Sequence, residues 1–257
     1  MNRNEIMKQL AVGYDFLCKT YSEQRIFGVF LYGSQNYHID TEDSDVDMQA
    51  IYAPSLREVF ANKSPKSEEH ILPSGSHIVI KDIRLMIDMW KKANINFVEI
   101  LFTEYYLINP MYKEFFTQLI EKREEIARYN PVAAVTAAYN IGIKNLDSSQ
   151  ITYKQLANAI RLHDFCINYL KGRNYEWCLI PINPSLLRTL KSESRNSLVR
   201  DEFYFLRQTR EKYDELKEIL KKCPVEINYK KKSEMDNWLV NFEIDIALKF
   251  NKAKERK

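Results

Sequence analysis

The arrangement of apolar residues changes character once along this chain, near Asp82, and that change limits the folds available to it. Before Asp82 the apolar residues come in short β-branched and aromatic runs. The segment Arg25-Ile26-Phe27-Gly28-Val29-Phe30-Leu31-Tyr32 reads as a buried strand stopped by Gly33-Ser34. Asp45 to Tyr52 reads as a second strand and His77 to Asp82 as a third. A helix from Glu5 to about Tyr21 precedes them, with Ile6, Leu10, Val12, Tyr14 and Leu17 at nearly helical spacing. Asn62 to Ser76, with two prolines and Gly75, reads as a loop after a short helix from Ser55 to Phe60. Beyond Asp82 the helical period takes over. The expected helices are Ile83 to Ala93, Tyr112 to Arg128, Val132 to Leu146, Thr152 to Leu170, Ser197 to Lys222 and Lys232 to Lys252. Pro110, Pro131, Pro181 and Pro184 punctuate their boundaries, as residues without an amide donor should. The coarse architecture is an N-terminal α/β unit of about 110 residues followed by an all-helical unit.

Composition narrows the function classes. With 257 residues, 45% of them hydrophobic and 28% charged, the chain is an ordinary globular protein, which excludes a disordered, collagen-like or disulfide-stapled one. Only six glycines are present, and none are spaced as G-x-G-x-x-G, so a glycine-built dinucleotide fold is excluded. A formal charge of +3 is too small to announce nucleic-acid binding by itself. The scattered Cys18, Cys166, Cys178 and Cys223 form no C-x-x-C pair and read as reduced thiols, mostly core. The absence of a signal-peptide-like start, and of any run near about 18 apolar residues, leads to an expected cytoplasmic location with no membrane partner.

One constellation carries chemistry: Leu31-Tyr-Gly-Ser-Gln-Asn-Tyr37, then Ser44-Asp-Val-Asp47. Gly33 ends a strand where the backbone must turn and let something approach closely. Ser34, Gln35 and Asn36 are expected to begin a helix whose free amides favour phosphate. Asp45 and Asp47, two apart on a strand, would share one face while Val46 enters the core. Adjacent carboxylates repel unless a cation lies between them, and hard oxygen ligands facing a phosphate site suit a Mg²⁺-bound nucleotide, with Mn²⁺ as a substitute. Asp82 is the candidate third carboxylate of a two-metal site, and Glu99 the second choice. Gly28 and Gly33 have the spacing of the first two P-loop glycines, but Ser34 stands where the lysine should be and the residues between them are strand.

These residues resemble the DNA polymerase β-like nucleotidyltransferase superfamily, whose pattern is apolar-Gly-Ser, about ten residues, then Asp-x-Asp. The fuller phrase is similar to predicted bacterial and phage nucleotidyltransferases that include RNA-ligase-associated members. Lys81-Asp82-Ile83-Arg84 and Asn94-Ile-Asn-Phe-Val-Glu-Ile-Leu-Phe-Thr103 extend the likeness, which covers most of residues 26 to 170. The resemblance implies an α+β fold, with a mixed β-sheet and flanking helices forming a catalytic domain over residues 1–110 and an all-helical substrate-binding domain over 111–257. It implies that Gly33 and Ser34 contact a nucleoside triphosphate, that Asp45 and Asp47 bind Mg²⁺, and that an acidic residue on a later strand is the third ligand. His38 stands where the group usually has glycine, which predicts a differently shaped loop.

In the helical half, Leu156, Ile160, His163, Ile167 and Leu170 form one apolar stripe, and His163 reads as a hydrogen-bonded core histidine. Lys154, Asn158 and Arg161 fall on an adjacent face and can converge on one target. Lys154 and Arg161 are assigned to the triphosphate, with Lys144 a weaker candidate. Lys221-Lys222 and Lys230-Lys231-Lys232, near Tyr229 and Trp238, suggest contact with a nucleic-acid backbone. The expected activity is Mg²⁺-dependent transfer of a nucleoside monophosphate to an acceptor hydroxyl, foremost an RNA 3′ end. The alternatives are a protein side chain or small molecule as acceptor, or a silent nucleotide-binding module. The sequence carries no signal for oligomeric state.

Overall fold

The computed structural model describes residues 2–42, 44–147, 150–192, 198–199, 204–222 and 229–255. It is an α+β structure whose strands come early in the chain: β1 (Ile26–Tyr32), β2 (Asp47–Tyr52), β3 (Ser67–Ile71), β4 (His77–Asp82) and β5 (Tyr106–Ile108). They form one mixed sheet in the order β3-β4-β2-β1-β5, with β2 and β4 parallel and the other neighbours antiparallel. The helices are α1 (Arg3–Tyr21), α2 (Leu56–Phe60), α3 (Ile83–Lys91), α4 (Ile95–Val98), α5 (Lys113–Ala127), α6 (Pro131–Leu146), α7 (Tyr153–Leu170), α8 (Tyr175–Leu179), α9 (Pro184–Ser192), α10 (Tyr204–Lys222) and α11 (Tyr229–Glu255).

Both faces of the sheet are covered, which is why β1 reads as a nearly continuous apolar run. On one face Val29, Leu31, Met48, Ile78 and Ile80 pack against Ile6, Leu10 and Leu17 of α1. On the other, Phe27, Phe30 and Ile51 belong to a core that continues through Trp90, Tyr112 and Leu119 to Leu162, Phe165, Leu239 and Phe242. That apolar core therefore runs without interruption across residue 110.

Several elements differ from the sequence expectation for identifiable reasons. β3 lies inside the expected loop because its residues, Ser67-Glu-Glu-His-Ile71, sit at the sheet edge, mostly exposed, and carry no apolar pattern. β5 is three residues long and too short to register as a period. α8 and α9 fill the stretch around Pro181 that had no helix assigned, and α9 begins with Pro184 at its first position. The expected helix from Ser197 is described from Tyr204, residues 198–199 are not helical, and Ser197 itself lies outside the described residues, as does Cys223. Cys18, Cys166 and Cys178 are free thiols, the last two buried. Among the described residues, no helix is long and apolar enough to cross a membrane.

Candidate functional site

β1 ends at Tyr32, and the chain then reverses through Gly33, whose φ of 94° and ψ of −149° suit a residue without a side chain. A Cβ built there would lie 3.3 Å from Asp47 Oδ2, so glycine also leaves room for that carboxylate. The helix expected to begin at Ser34 is a single 3₁₀ turn, Ser34–Tyr37, which the Ile39 amide closes by donating to the Ser34 carbonyl at 3.1 Å. A turn this short has no sustained dipole, so the expected phosphate site at a helix N-terminus is corrected. Gln35 and Asn36, expected at the nucleotide, face inward instead. Gln35 Nε2 donates to the Asp45 carbonyl at 2.7 Å. Asn36 Nδ2 donates to the Leu31 carbonyl at 3.0 Å, while its Oδ1 accepts from Thr103 Oγ1 at 2.8 Å. Their work is to hold the loop and the backbone of Asp45 in place. The turn ends at His38 in the left-handed region, φ 57° and ψ 33°, the conformation for which a glycine would be the unstrained choice.

Asp45 lies just before β2 and Asp47 is its first residue, so the two do not sit on one strand as expected, although Val46 between them is buried. Both nevertheless face the same cleft, of about 380 Å³. Gly33, Ser34 and Tyr37 also line it. The opposite wall is helical: Lys154, Asn158 and Arg161 of α7 and Lys191 of α9. The face of α7 picked out by spacing is thus the face turned to the two aspartates. Lys191 was missed in the sequence, although a signal was present. It follows Leu187 by four residues on the buried stripe of α9, is 7% exposed, and donates through Nζ to the Ile39 carbonyl at 3.0 Å.

Asp82 is not in this cleft. The parallel register of β2 and β4 pairs it with Tyr52, five positions along the strand from Asp47, or roughly 16 Å at ~3.3 Å per residue. Its carboxylate caps α3 and grips Arg84: Oδ1 accepts from the Arg84 amide at 3.0 Å and Oδ2 from Nη2 at 2.6 Å. At 1% exposure it is a buried structural ion pair, and its expected role as third ligand is corrected. The second choice, Glu99, does line the cleft, from the 3₁₀ turn Glu99–Leu101 that follows α4. Among the described residues, no three carboxylate, histidine or cysteine side chains converge to hold a metal ion unaided.

The cleft is crowded with charge of both signs. Burial and the neighbouring Asp45 raise the Asp47 pKa, while Lys154, His77 and Lys191 oppose the rise. Burial pushes the Glu99 carboxyl up to about 8, against the nearby Arg161 and a hydrogen bond from the Gly33 amide. Arg161 is 4% exposed, and burial lowers its pKa. Its guanidinium stacks 4.0 Å over the Tyr37 ring, and its Nε and Nη2 both donate to Asn158 Oδ1, at 3.2 and 2.9 Å.

The remaining expected residues lie outside the cleft lining. Lys144 is exposed on α6, whereas Ile141 and Asn145 of the same helix face inward. His163 sits beside Asp164 and the Tyr213 ring. Lys221, Lys222, Lys230 and Lys231 are exposed, and Lys232 lies 5.6 Å over the Tyr129 ring. Trp238 stacks on Phe242 with ring centroids 5.0 Å apart, so its ring is spent on internal packing rather than on a base.

The chain is similar to the structure of a nucleotidyltransferase-like protein from Exiguobacterium sibiricum 255-15, at a TM-score of 0.34 and 10% identity, over 83% of this chain and 75% of that one. No protein-family model and no curated protein matches the sequence.

Proposed function

We propose that this chain is a nucleotidyltransferase: an acceptor hydroxyl attacks the α-phosphorus of a nucleoside triphosphate, pyrophosphate leaves, and the monophosphate stays on the acceptor oxygen. One observation carries the reading. Asp45 and Asp47 stand across a single cleft from Lys154, Arg161 and Lys191. Two carboxylates opposite three cations suit a ligand that carries its own anionic charge together with a cation.

The donor set fits Mg²⁺ or Mn²⁺. Asp45 and Asp47 offer hard oxygens, burial and then the neighbouring Asp45 raise the Asp47 pKa, and Mg²⁺ is commonly held by one or two carboxylates with phosphate oxygens completing its shell. A cation bound there supplies charge neutralisation for the transferring phosphoryl group. The protein's own groups position the substrate. Lys154 and Lys191 meet the polyphosphate, Ser34 offers a hydroxyl beside it, and Gly33 keeps the approach to Asp47 open. Catalysis is then charge stabilisation by preorganised groups on two rigid walls.

For the acceptor, the exposed lysines of α10 and α11 favour an RNA 3′ end, whose backbone they would hold away from the reacting oxygen. The test incubates the protein with each α-labelled triphosphate, Mg²⁺, and separate RNA, protein and small-molecule fractions. Label retained by RNA, and lost with Asp45→Ala plus Asp47→Ala, is the expected result. Label on protein or a small molecule alone refutes the RNA acceptor. Labelling that survives the double substitution refutes the site.

A further inference from the structure

Two buried polar side chains that line the cleft each carry an atom with no hydrogen-bond partner among the described residues. Glu99 is 1% exposed; the Gly33 amide lies close enough to its carboxyl group to favour the charged form, and Oε2 has no partner among the described residues. Arg161 is 4% exposed; Tyr37 fixes the plane of its guanidinium, Asn158 occupies Nε and Nη2, and Nη1 has no partner among the described residues. Buried donors and acceptors are nearly always satisfied, and leaving one unmade costs about 1–3 kcal/mol, more for charged groups. These two side chains do not satisfy each other. They feel one another's charge, yet no direct ion pair between them is formed. A third group in the cleft that both donates and accepts, and reaches both atoms, would complete both.

We propose that Glu99 and Arg161 read a sugar hydroxyl of the bound nucleotide: the hydroxyl donates to Glu99 Oε2 and accepts from Arg161 Nη1. A hydroxyl is the smallest group that does both through one oxygen. Burial assigns it to the nucleotide rather than to the acceptor. Of the groups that meet phosphate and metal, Asp45 and Lys154 are open to solvent, Asp47 is half-buried and Lys191 is buried, so the polyphosphate reaches from the mouth of the cleft inward, and Glu99 and Arg161 are closed off at its inner end. A nucleotide docked by its phosphates carries its own sugar inward, while a large acceptor must reach the α-phosphorus from the open side. This inference rests on the nucleotidyltransferase reading and adds to it a selection for ribonucleotides.

The experiment is calorimetric titration of the full chain, with Mg²⁺, by ATP, GTP, CTP and UTP, then by the 2′-deoxy and 3′-deoxy forms of the tightest binder. One of the two deoxy forms is expected to bind about 10- to 100-fold more weakly, the factor that one hydrogen bond to a charged group, here the Arg161 guanidinium, supplies. In Glu99→Leu, or in Glu99→Met should the leucine variant not fold, that preference is expected to shrink to a few-fold, because neither side chain can accept from the hydroxyl. Equal affinity for ribo and both deoxy forms in the native chain overturns the pair while leaving the function intact. A preference that persists undiminished in a folded Glu99 variant also overturns it. Failure of every triphosphate to bind overturns the functional reading and this inference together.

Discussion

Replacing Gly33 with alanine tests the geometry on which the site depends. The position has φ 94° and ψ −149°, a region occupied essentially by glycine alone, where another residue costs on the order of 1–3 kcal/mol. The added methyl would also lie 3.3 Å from Asp47 Oδ2 and 3.8 Å from Asp47 Cβ, so the carboxylate must shift by a few tenths of an ångström. At roughly 2–4 °C per kcal/mol for a chain of this size, strain alone lowers the melting temperature by roughly 2–12 °C. Gly75→Ala is the control, because Gly75 has a φ of 83° but nothing within 4 Å of an added Cβ. Thermal unfolding followed by circular dichroism should show both variants melting early. Only Gly33→Ala should also weaken Mg²⁺-triphosphate affinity. Part of its destabilisation should vanish in an Asp47→Ala background, since removing Oδ2 removes the contact, and neighbouring substitutions of this kind are non-additive. A Gly33→Ala protein that melts within about 1 °C of the parent refutes the backbone argument, and one that binds triphosphate as the parent does refutes the assignment of this turn to the ligand.

Asp82→Asn should lower stability by about 3 kcal/mol, because it leaves the Arg84 guanidinium without its buried counter-charge, yet should leave triphosphate affinity unchanged; chemical denaturation and calorimetry check the two halves. Glu99 supplies a pH test. Its pKa is raised to about 8, so between about pH 4.5 and 8 the folded state holds a proton that the unfolded state has lost, and stability falls as pH rises through that window. Urea midpoints at a series of pH values should show this decline flattened in Glu99→Gln, and an unaltered slope refutes the burial argument. His38→Gly should stabilise by up to about 1 kcal/mol, since relief of left-handed strain outweighs the added freedom of the unfolded chain; a lower melting temperature contradicts it. Gly142→Ala should be severely destabilising, because a Cβ there would meet the Tyr213 hydroxyl at 1.7 Å, and the near-parental melting of that variant would refute the close packing of α6 on α10.

How much of this was legible in the sequence depends on whether the deciding interaction is local. β1, β4 and the long helices are local: their apolar residues repeat with the period of the element, and caps such as Ser55 and Thr152 stand at the expected starts. The motif around Gly33, Asp45 and Asp47 was legible for a similar reason, since a strand, a tight turn and two carboxylates are close in sequence. Lys154 and Arg161 could be placed on one face of a helix, but nothing local said which wall that face would meet. The third acidic residue illustrates the limit. Asp82 and Glu99 are both carboxylates at element boundaries, and strand logic favoured Asp82. The parallel pairing of β4 with β2, a fact about two segments separated by about thirty residues, sends Asp82 to the wrong end of the sheet, where Arg84 two residues away claims it. The same pairing sets His77, not Asp82, beside the β2 terminus that carries Asp47. Register, rather than composition, therefore decided which carboxylate reached the cleft. Gln35 and Asn36 failed in the complementary way: their hydrogen-bonding capacity was legible, but whether it would be spent on a ligand or on the loop's own backbone was fixed by where the Asp45 and Leu31 carbonyls ended up.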